Sequence, residues 1–467
     1  MAITNHDSAP SAPAAGSRPN SGLSERGGRF GAQVARPASA AEQLAPLLQV
    51  FFPGGPPVRF SFWDGSAIEA AGGASGGRQP GEVVVRSPRA LRRLLWSPNE
   101  LGLARAVVSG DVALEGDLYE LLKLLRDEAG VSAYGPRRRP KPGAVVAGVR
   151  AAVRLGAIGL PPPPPPEEAR IGGWLHSKRR DAAAVRHHYE AGNEFYRLVL
   201  GPAMTYSCAR FEVEGMSLED AQAAKHDLIC RKLGLADRPG LRLLDVGCGW
   251  GSLALHAARR YGAEAVGITL SPSQVDWAQR RAREEGLAGK VEFRLQDYRD
   301  LAGERFDVIS SVGMFEHVGS ERMGSYFSTL FGLLGPRGRL LNHAISKPGG
   351  SKMRGARFIA RYIFPDGELI DVAEVVKAME RAGFEVRDVE SLREHYVETL
   401  RSWVSNLEAA WDKAVALVGE ARARAWRLYM SASANAFEEQ KISVHQVLGV
   451  RPGPGGDSGM PRTRGKW

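Results

Sequence analysis

Apolar and polar positions divide the chain into segments of different character. VRFSFWDGSAIEA (58–70) alternates apolar with polar residues around Asp64-Gly65, the pattern of a β-hairpin. GEVVVRS (81–87) reads as another strand, while SPRALRRLLW (87–96) and DLYELLKLLRD (117–127) space their apolar residues as helices do. Together they predict a small α+β accessory domain over residues 41–130. From Leu241 the pattern becomes a regular alternation. LRLLDV precedes a helix from Ser252, AEAVGIT a helix from Pro272, KVEFRL a loop, FDVISSV a helix near Ser325, and GRLLNHAI closes the series. Apolar strands separated by amphipathic helices predict an α/β fold, a doubly wound parallel sheet covered on both faces. This domain, with added helices, is placed at residues 171–450; its last part, from Ser391 to Val450, reads as helical and aromatic.

Composition sets the remaining boundaries. Residues 1–40 are rich in Ala, Ser, Pro and Gly, and together with residues 451–467 they are expected to be disordered tails. Between the two domains, residues 131–170 form a basic, Pro-rich linker in which Pro161–Pro166 should be a stiff polyproline II spacer. Ala144–Leu160 is aliphatic, but Arg150 and Arg154 interrupt it and it is too short to span a bilayer; it reads as a surface or linker helix. The N-terminus lacks the apolar core of a signal peptide. Across 467 residues, 62 Lys and Arg against 52 Asp and Glu leave a net charge of +10, which suits anionic partners such as phospholipid headgroups. Three cysteines, Cys208, Cys230 and Cys248, are too few for a disulfide framework and lack metal-ligand spacing. The expected setting is cytoplasmic, peripheral at the inner face of the membrane.

The sharpest motif is LLDVGCGWG, Leu243–Gly251, a buried strand running into a glycine-rich turn that opens a helix. Gly247, Gly249 and Gly251 allow tight turning and close approach of a ligand to the backbone. The spacing is G-x-G-x-G rather than the G-x-G-x-x-G of dinucleotide sites, and Asp245 precedes it. That combination points to S-adenosylmethionine, whose sulfonium and ammonium favour a nearby carboxylate. After the second strand come Thr269, Leu270 and Ser271, with Gln274 one turn later, so the ribose is expected to be held by neutral hydrogen bonds. Asp297 and Tyr298, after the third strand, are placed to meet the adenine.

These residues, with HHYEAGNEFYRLVLGPAMTYSC, SSVGMFEHVG, RYIFPDGELI and HYVETLRSW, resemble the cyclopropane-fatty-acid synthase family, which includes the mycolic acid cyclopropane synthases. The resemblance covers roughly His187 to Val450. It implies a Rossmann-like methyltransferase sheet and transfer of a methyl(ene) carbon from S-adenosylmethionine to the double bond of an unsaturated acyl chain, commonly on a membrane phospholipid. In that family a carbocation forms on the chain; proton loss then gives a cyclopropane or a methylene branch (10-methylene type). A methylene branch would call for a reductase partner; a homodimer is also compatible, and no nucleic acid is expected, since no Asn-Pro-Pro-aromatic motif is present. The family's base is a bound bicarbonate, and carrying its pattern over assigns Cys208, Glu316, His343, Ile345 and Tyr396 to the anion pocket, and Tyr206 and Ser207 to the cofactor's methionine end. His317, Trp403 and Trp411 read as packing residues, while His187 and His188 are equally consistent with cofactor-side packing or solvent exposure. Some members carry a late-helix cysteine where this chain has Ser433. The competing readings are a small-molecule O- or N-methyltransferase of the same fold and a non-enzymatic lipid-binding protein.

Overall fold

The computed structural model describes residues 38–71, 80–128, 142–157, 159–169, 172, 174, 177–189, 191–301, 303–351 and 357–466. The expected N-terminal tail lies outside them up to residue 37, and so does the linker segment 129–141. Ser39 caps the first helix, Ala40–Phe51, through a reciprocal capping box with Glu42. The accessory sheet follows in the order β2-β1-β3-β4, with β1 at Arg59–Phe62, β2 at Ala67–Ile68, β3 at Gly81–Val85 and β4 at Val112–Gly116. β1 and β2 form the hairpin expected around Asp64-Gly65.

The second sheet comprises β5 (Arg242–Val246), β6 (Glu264–Thr269), β7 (Val291–Leu295), β8 (Phe306–Val312), β9 (Leu334–Lys347), β10 (Ile370–Asp371), β11 (Glu385–Ser391) and β12 (Ser443–Val450). The order is β11-β12-β9-β8-β5-β6-β7, with β10 beside β9. The strands from β9 to β7 along that order are parallel, as the alternating pattern required. Leu244 and Val246 enter one core with Phe327, Leu330 and Met379, whereas Leu243 enters another with Leu233, Ala254 and Ala278. Adjacent residues of one strand thus feed cores on opposite faces, which is why β5 is a nearly continuous apolar run.

Three expectations need correction. Ser443–Val450 is a strand rather than part of the helical region; β12 runs antiparallel between β9 and β11. Val444, Val447 and Val450 are buried there, and β-branched residues suit a strand covered on both faces. The C-terminal segment is placed through Lys466 instead of being disordered. Where it begins, Arg337 N–H donates to Arg451 O and Arg451 N–H to Gly338 O, the Arg339 guanidinium donates to Gly459 O at 3.0 Å, and Met460 packs against the core. The linker is not a free spacer. Arg92 donates to Ala157 O, Trp96 to Gly159 O and Arg93 to Pro163 O, while Arg105 grips Glu168 through two bonds of 2.8 and 2.7 Å. Among the described residues no helix is long and apolar enough to cross a membrane.

Candidate active site

The glycine turn stands at the carboxyl end of β5, in the middle of the sheet. Gly247, Gly249 and Gly251 all have positive φ, at +77°, +55° and +83°. Their neighbourhoods differ. A Cβ on Gly249 would meet nothing within 4 Å, whereas one on Gly251 would sit 2.4 Å from Phe293 Cζ. Gly249 therefore keeps the approach to the backbone clear, and Gly251 is required by packing between the turn and β7.

Two cavities meet at this turn, sharing Tyr189, Gly247, Gly249, Gly313 and His317 on their walls; Gly251 borders neither. The smaller, of about 100 Å³, is bordered by Thr269, Leu270, Gln274, Asp297 and Tyr298. Thr269 Oγ1 donates to Gln274 Oε1 at 2.7 Å, leaving the buried Gln274 Nε2 without a partner among the described residues. Ser271, expected to touch the cofactor, lies behind this wall with its hydroxyl 3.0 Å from Ser273 Oγ. Asp297 is engaged at both carboxylate oxygens by Arg299, which also reaches Asp181 at 3.0 Å. The pair lowers the Asp297 pKa against the opposing effect of burial. A buried orphan amide, glycines with clear approach and a ring at Tyr298 fit an adenosine with its ribose hydroxyls.

The larger cavity, of about 640 Å³, is bordered by Tyr206, Ser207, Asp245, Glu316, His343, Ile345 and Tyr396. Glu316, on a short 3-10 turn after β8, accepts the Ile345 N–H at 2.7 Å through Oε1. Its Oε2 is buried without a partner among the described residues. Burial pushes the Glu316 carboxyl up to about 7, the Ile345 bond opposing it. His343 and Gln446 face each other across β9 and β12, with His343 Nδ1 at 3.3 Å from the Gln446 amide nitrogen. His343 Nε2 has no partner among the described residues, and burial drives the ring's pKa far below its usual value. Asp245 Oδ1 accepts from Ser310 Oγ at 2.7 Å, and burial raises this carboxyl to about 6.

Aromatic rings form much of the remaining wall. The His188 ring stacks on Phe364 at 4.3 Å and near Tyr206 at 5.4 Å, and Tyr206 OH lies 3.3 Å from Tyr429 OH. Trp403 is fully buried behind Tyr206 and Tyr396, in keeping with the packing role expected of it. His317, read from the sequence as a packing residue, borders both cavities and lies 6.0 Å from the Phe364 ring. Cys208 departs furthest from expectation. Its thiol points away from both cavities, 3.2 Å from Ala209 O and 3.5 Å from Leu392 O, and burial pushes its pKa upward. Ser433 borders the larger cavity.

Sequence reasoning missed Lys225, Tyr189, Tyr429 and Gln446. Tyr189 and Tyr429 lie on the wall, and Gln446 contacts the His343 ring. Lys225 left the clearest signal: it falls on the apolar stripe of the helix Leu218–Leu233, between Ala221 and Leu228.

The family model described as mycolic acid cyclopropane synthetase matches residues 176–447. The chain is 42% identical over 430 residues to a Mycobacterium tuberculosis protein named "Probable fatty acid methyltransferase", covering 90% of this chain and 97% of that one. It is 35% identical to the cyclopropane-fatty-acyl-phospholipid synthase of Escherichia coli over 82% of this chain and 91% of the relative. Among solved structures, a cyclopropane synthase from Mycobacterium tuberculosis aligns with a TM-score of 0.56 and 34% identity, over 60% of this chain and all of that one. A mycolic acid cyclopropane synthase complexed with SAH and CTAB aligns with a TM-score of 0.55 and 36% identity, over 58% of this chain and 98% of that one.

Proposed function

The chain belongs to the mycolic acid cyclopropane synthetase family of S-adenosylmethionine-dependent methyltransferases, and from that premise we propose that it transfers a methyl carbon to the double bond of an unsaturated fatty acyl chain on a membrane phospholipid. The observation that carries this reading is the joining of the two cavities at Gly247, Gly249 and Gly313, with Glu316, His343, Ile345 and Tyr396 on the wall of the larger. The smaller cavity takes the adenosine. Thr269 and Gln274 hold the ribose, Tyr298 offers the adenine a ring face, and Asp297 is oriented by Arg299. The bound cofactor supplies an electrophilic methyl group on a sulfonium.

The chain's own residues control the fate of the substrate. Attack by the alkene leaves positive charge on the acyl chain, and water would quench it. Phe364, Tyr206, Tyr429 and Leu400 line a largely apolar wall that keeps water out, and the aromatic faces attract a cation. A proton must then leave the new methyl group, either directly to close a cyclopropane, or after a hydride shift from the methyl-bearing carbon to the cationic carbon, to give a methylene branch. Glu316 Oε2 and His343 Nε2 are two buried polar atoms in need of a partner, and with Tyr396 they would hold a bicarbonate, which supplies the base. With its carboxyl near 7, Glu316 can donate to that anion or accept from it at neutral pH. Cys208 acts in this reading only as part of the scaffold behind Ser207.

The test uses purified protein, methyl-labelled S-adenosylmethionine and oleoyl phospholipid vesicles. Label is expected in the acyl chain, and NMR of the product separates cyclopropyl from olefinic protons. Label confined to headgroups or soluble amines would replace this reading with that of a small-molecule methyltransferase. A methylene product would imply a reductase acting next. A peripheral position at the membrane surface is supported by the +10 net charge, which favours anionic headgroups.

A further inference from the structure

Lys225 is an ammonium group with almost no exposure, carried by the helix Leu218–Leu233 and directed at the larger cavity. Its Nζ donates to Ser207 Oγ at 2.9 Å, and among the described residues no other group accepts from it. A buried ammonium carries three donors and is costly to desolvate without an opposite charge. The carboxylate of Asp245 borders the same cavity but forms no ion pair with Lys225 among the described residues; it is held instead by Ser310 at 2.7 Å. The wall therefore presents one buried group of each sign, each bonded to a serine; they attract each other across the cavity wall but form no direct ion pair among the described residues. Such an arrangement is complementary to a zwitterion, a ligand bearing an ammonium and a carboxylate on one carbon.

We infer that Lys225 and Asp245 together clamp the amino-acid end of the cofactor, Lys225 binding its carboxylate and Asp245 its ammonium. The inference rests on the S-adenosylmethionine reading and deepens it, because it assigns a carboxylate partner beside the Tyr206-Ser207 wall. Burial depresses the Lys225 pKa to about 7, and the attraction of Asp245 only partly opposes it, as for an ammonium with no carboxylate in direct contact. Two observations separate this from a packing role. Lys225 borders the cavity rather than the protein interior alone, and its hydroxyl partner Ser207 borders it as well. Lys232, a second buried lysine of the same helix, has two carboxylates of its own, Asp388 at 2.8 Å and Glu390 at 2.5 Å, and lies away from the cavity.

Calorimetry tests the clamp without any turnover. The full-length protein is titrated with S-adenosylhomocysteine, with its decarboxylated analogue, and with methylthioadenosine, which lacks the amino-acid end. The unsubstituted protein should bind S-adenosylhomocysteine about 10- to 100-fold more tightly than the decarboxylated form, the worth of one hydrogen bond to a charged group. Lys225→Met should reduce that preference to within about threefold while leaving methylthioadenosine binding unchanged. Lys225→Arg should keep part of the preference, and it serves as the readout if the methionine variant does not fold. Equal loss for all three ligands would make Lys225 a structural residue and overturn the inference. Unchanged affinity for S-adenosylhomocysteine, with only the bicarbonate dependence of turnover altered, would also overturn it and assign Lys225 to the other anion. Failure of the unsubstituted protein to bind any of the three ligands would overturn the cofactor reading itself.

Discussion

Glu316 Oε1 accepts the Ile345 N–H at 2.7 Å, tying the turn after β8 to the neighbouring strand β9. The two oxygens of this carboxyl therefore have different duties. Oε1 holds the turn, and Oε2, without a partner among the described residues, is the oxygen that the proposed reaction would use. Glu316→Gln preserves the shape and retains an oxygen to accept from Ile345. Turnover should fall about 100-fold or more, in the range of a lost acid–base group, while affinity for S-adenosylhomocysteine stays within about threefold. Steady-state kinetics and calorimetry on one preparation decide it. Equal losses in both would mean that the residue supports the cofactor instead.

The same carboxyl makes stability depend on pH. Burial raises it from 4.5 to about 7, so between those values the folded chain holds a proton that the unfolded chain has released. Its effect on stability is therefore neutral below about pH 4.5 and grows unfavourable as pH rises toward 7. Glu316→Gln removes this penalty. Relative to the parent, the variant should gain on the order of 3 kcal/mol between about pH 4.5 and about pH 8, as a carboxyl raised from 4.5 to about 7 implies. Denaturant midpoints at several pH values measure the difference. A gap that does not widen with pH would show the carboxyl to titrate alike in the folded and unfolded states.

Local pattern carried the strands well. β5, β6 and β8 coincide with LRLLDV, AEAVGIT and FDVISSV because a parallel strand buried on both faces is apolar along its whole length. β12 escaped because SVHQVLGV follows a long helical run, and its partner β9 lies far back along the chain, His343 facing Gln446. The C-terminal segment escaped for a related reason. Its glycines and prolines resemble a tail, and the groups that hold it down, Arg337, Arg339 and Asp388 among them, are distant in sequence. Family motifs singled out Glu316, His343 and Tyr396, and all three lie on the wall of the larger cavity. The turning away of the Cys208 thiol was not legible, because a motif fixes residue identity but not the direction of a side chain. Gln446 was hidden because its contact with His343 exists only across the β9–β12 pair.

Gly249 and Gly251 should respond differently to alanine. Both have positive φ, so each substitution costs about 1–2 kcal/mol in backbone strain. Gly251→Ala must also displace Phe293, whose Cζ lies 2.4 Å from the new Cβ, and should lower stability by a further 1–3 kcal/mol or so. Gly249→Ala meets no atom within 4 Å and projects where the ligand approaches, so its larger effect should be on affinity for S-adenosylhomocysteine. Thermal denaturation and calorimetry of the two variants give the comparison. A Gly249 variant that binds normally would remove this turn from the ligand's path.

The accessory domain contributes to the catalytic cavity through a shared helix. Glu420–Glu438 presents Tyr429, Ala432, Ser433 and Ala436 to the cavity. On its other side Asn435 Nδ2 donates to Tyr119 O at 2.9 Å, Arg427 reaches Leu114 O, and Glu438 pairs with Lys123 at 2.7 Å. Asn435 is buried, so Asn435→Ala removes this bond to a carbonyl at the start of the helix Leu118–Glu128, at a cost of about 0.5–1.5 kcal/mol. Loosening the shared helix shifts the acyl end of the cavity and not the glycine turn, which β5 holds from the sheet. The variant should therefore melt at a lower temperature and turn over lipid more slowly, with KM for the lipid raised and affinity for S-adenosylhomocysteine unchanged. Loss of cofactor affinity in step with lipid turnover would show that the helix supports the whole site, leaving no separation between an acyl end and a cofactor end.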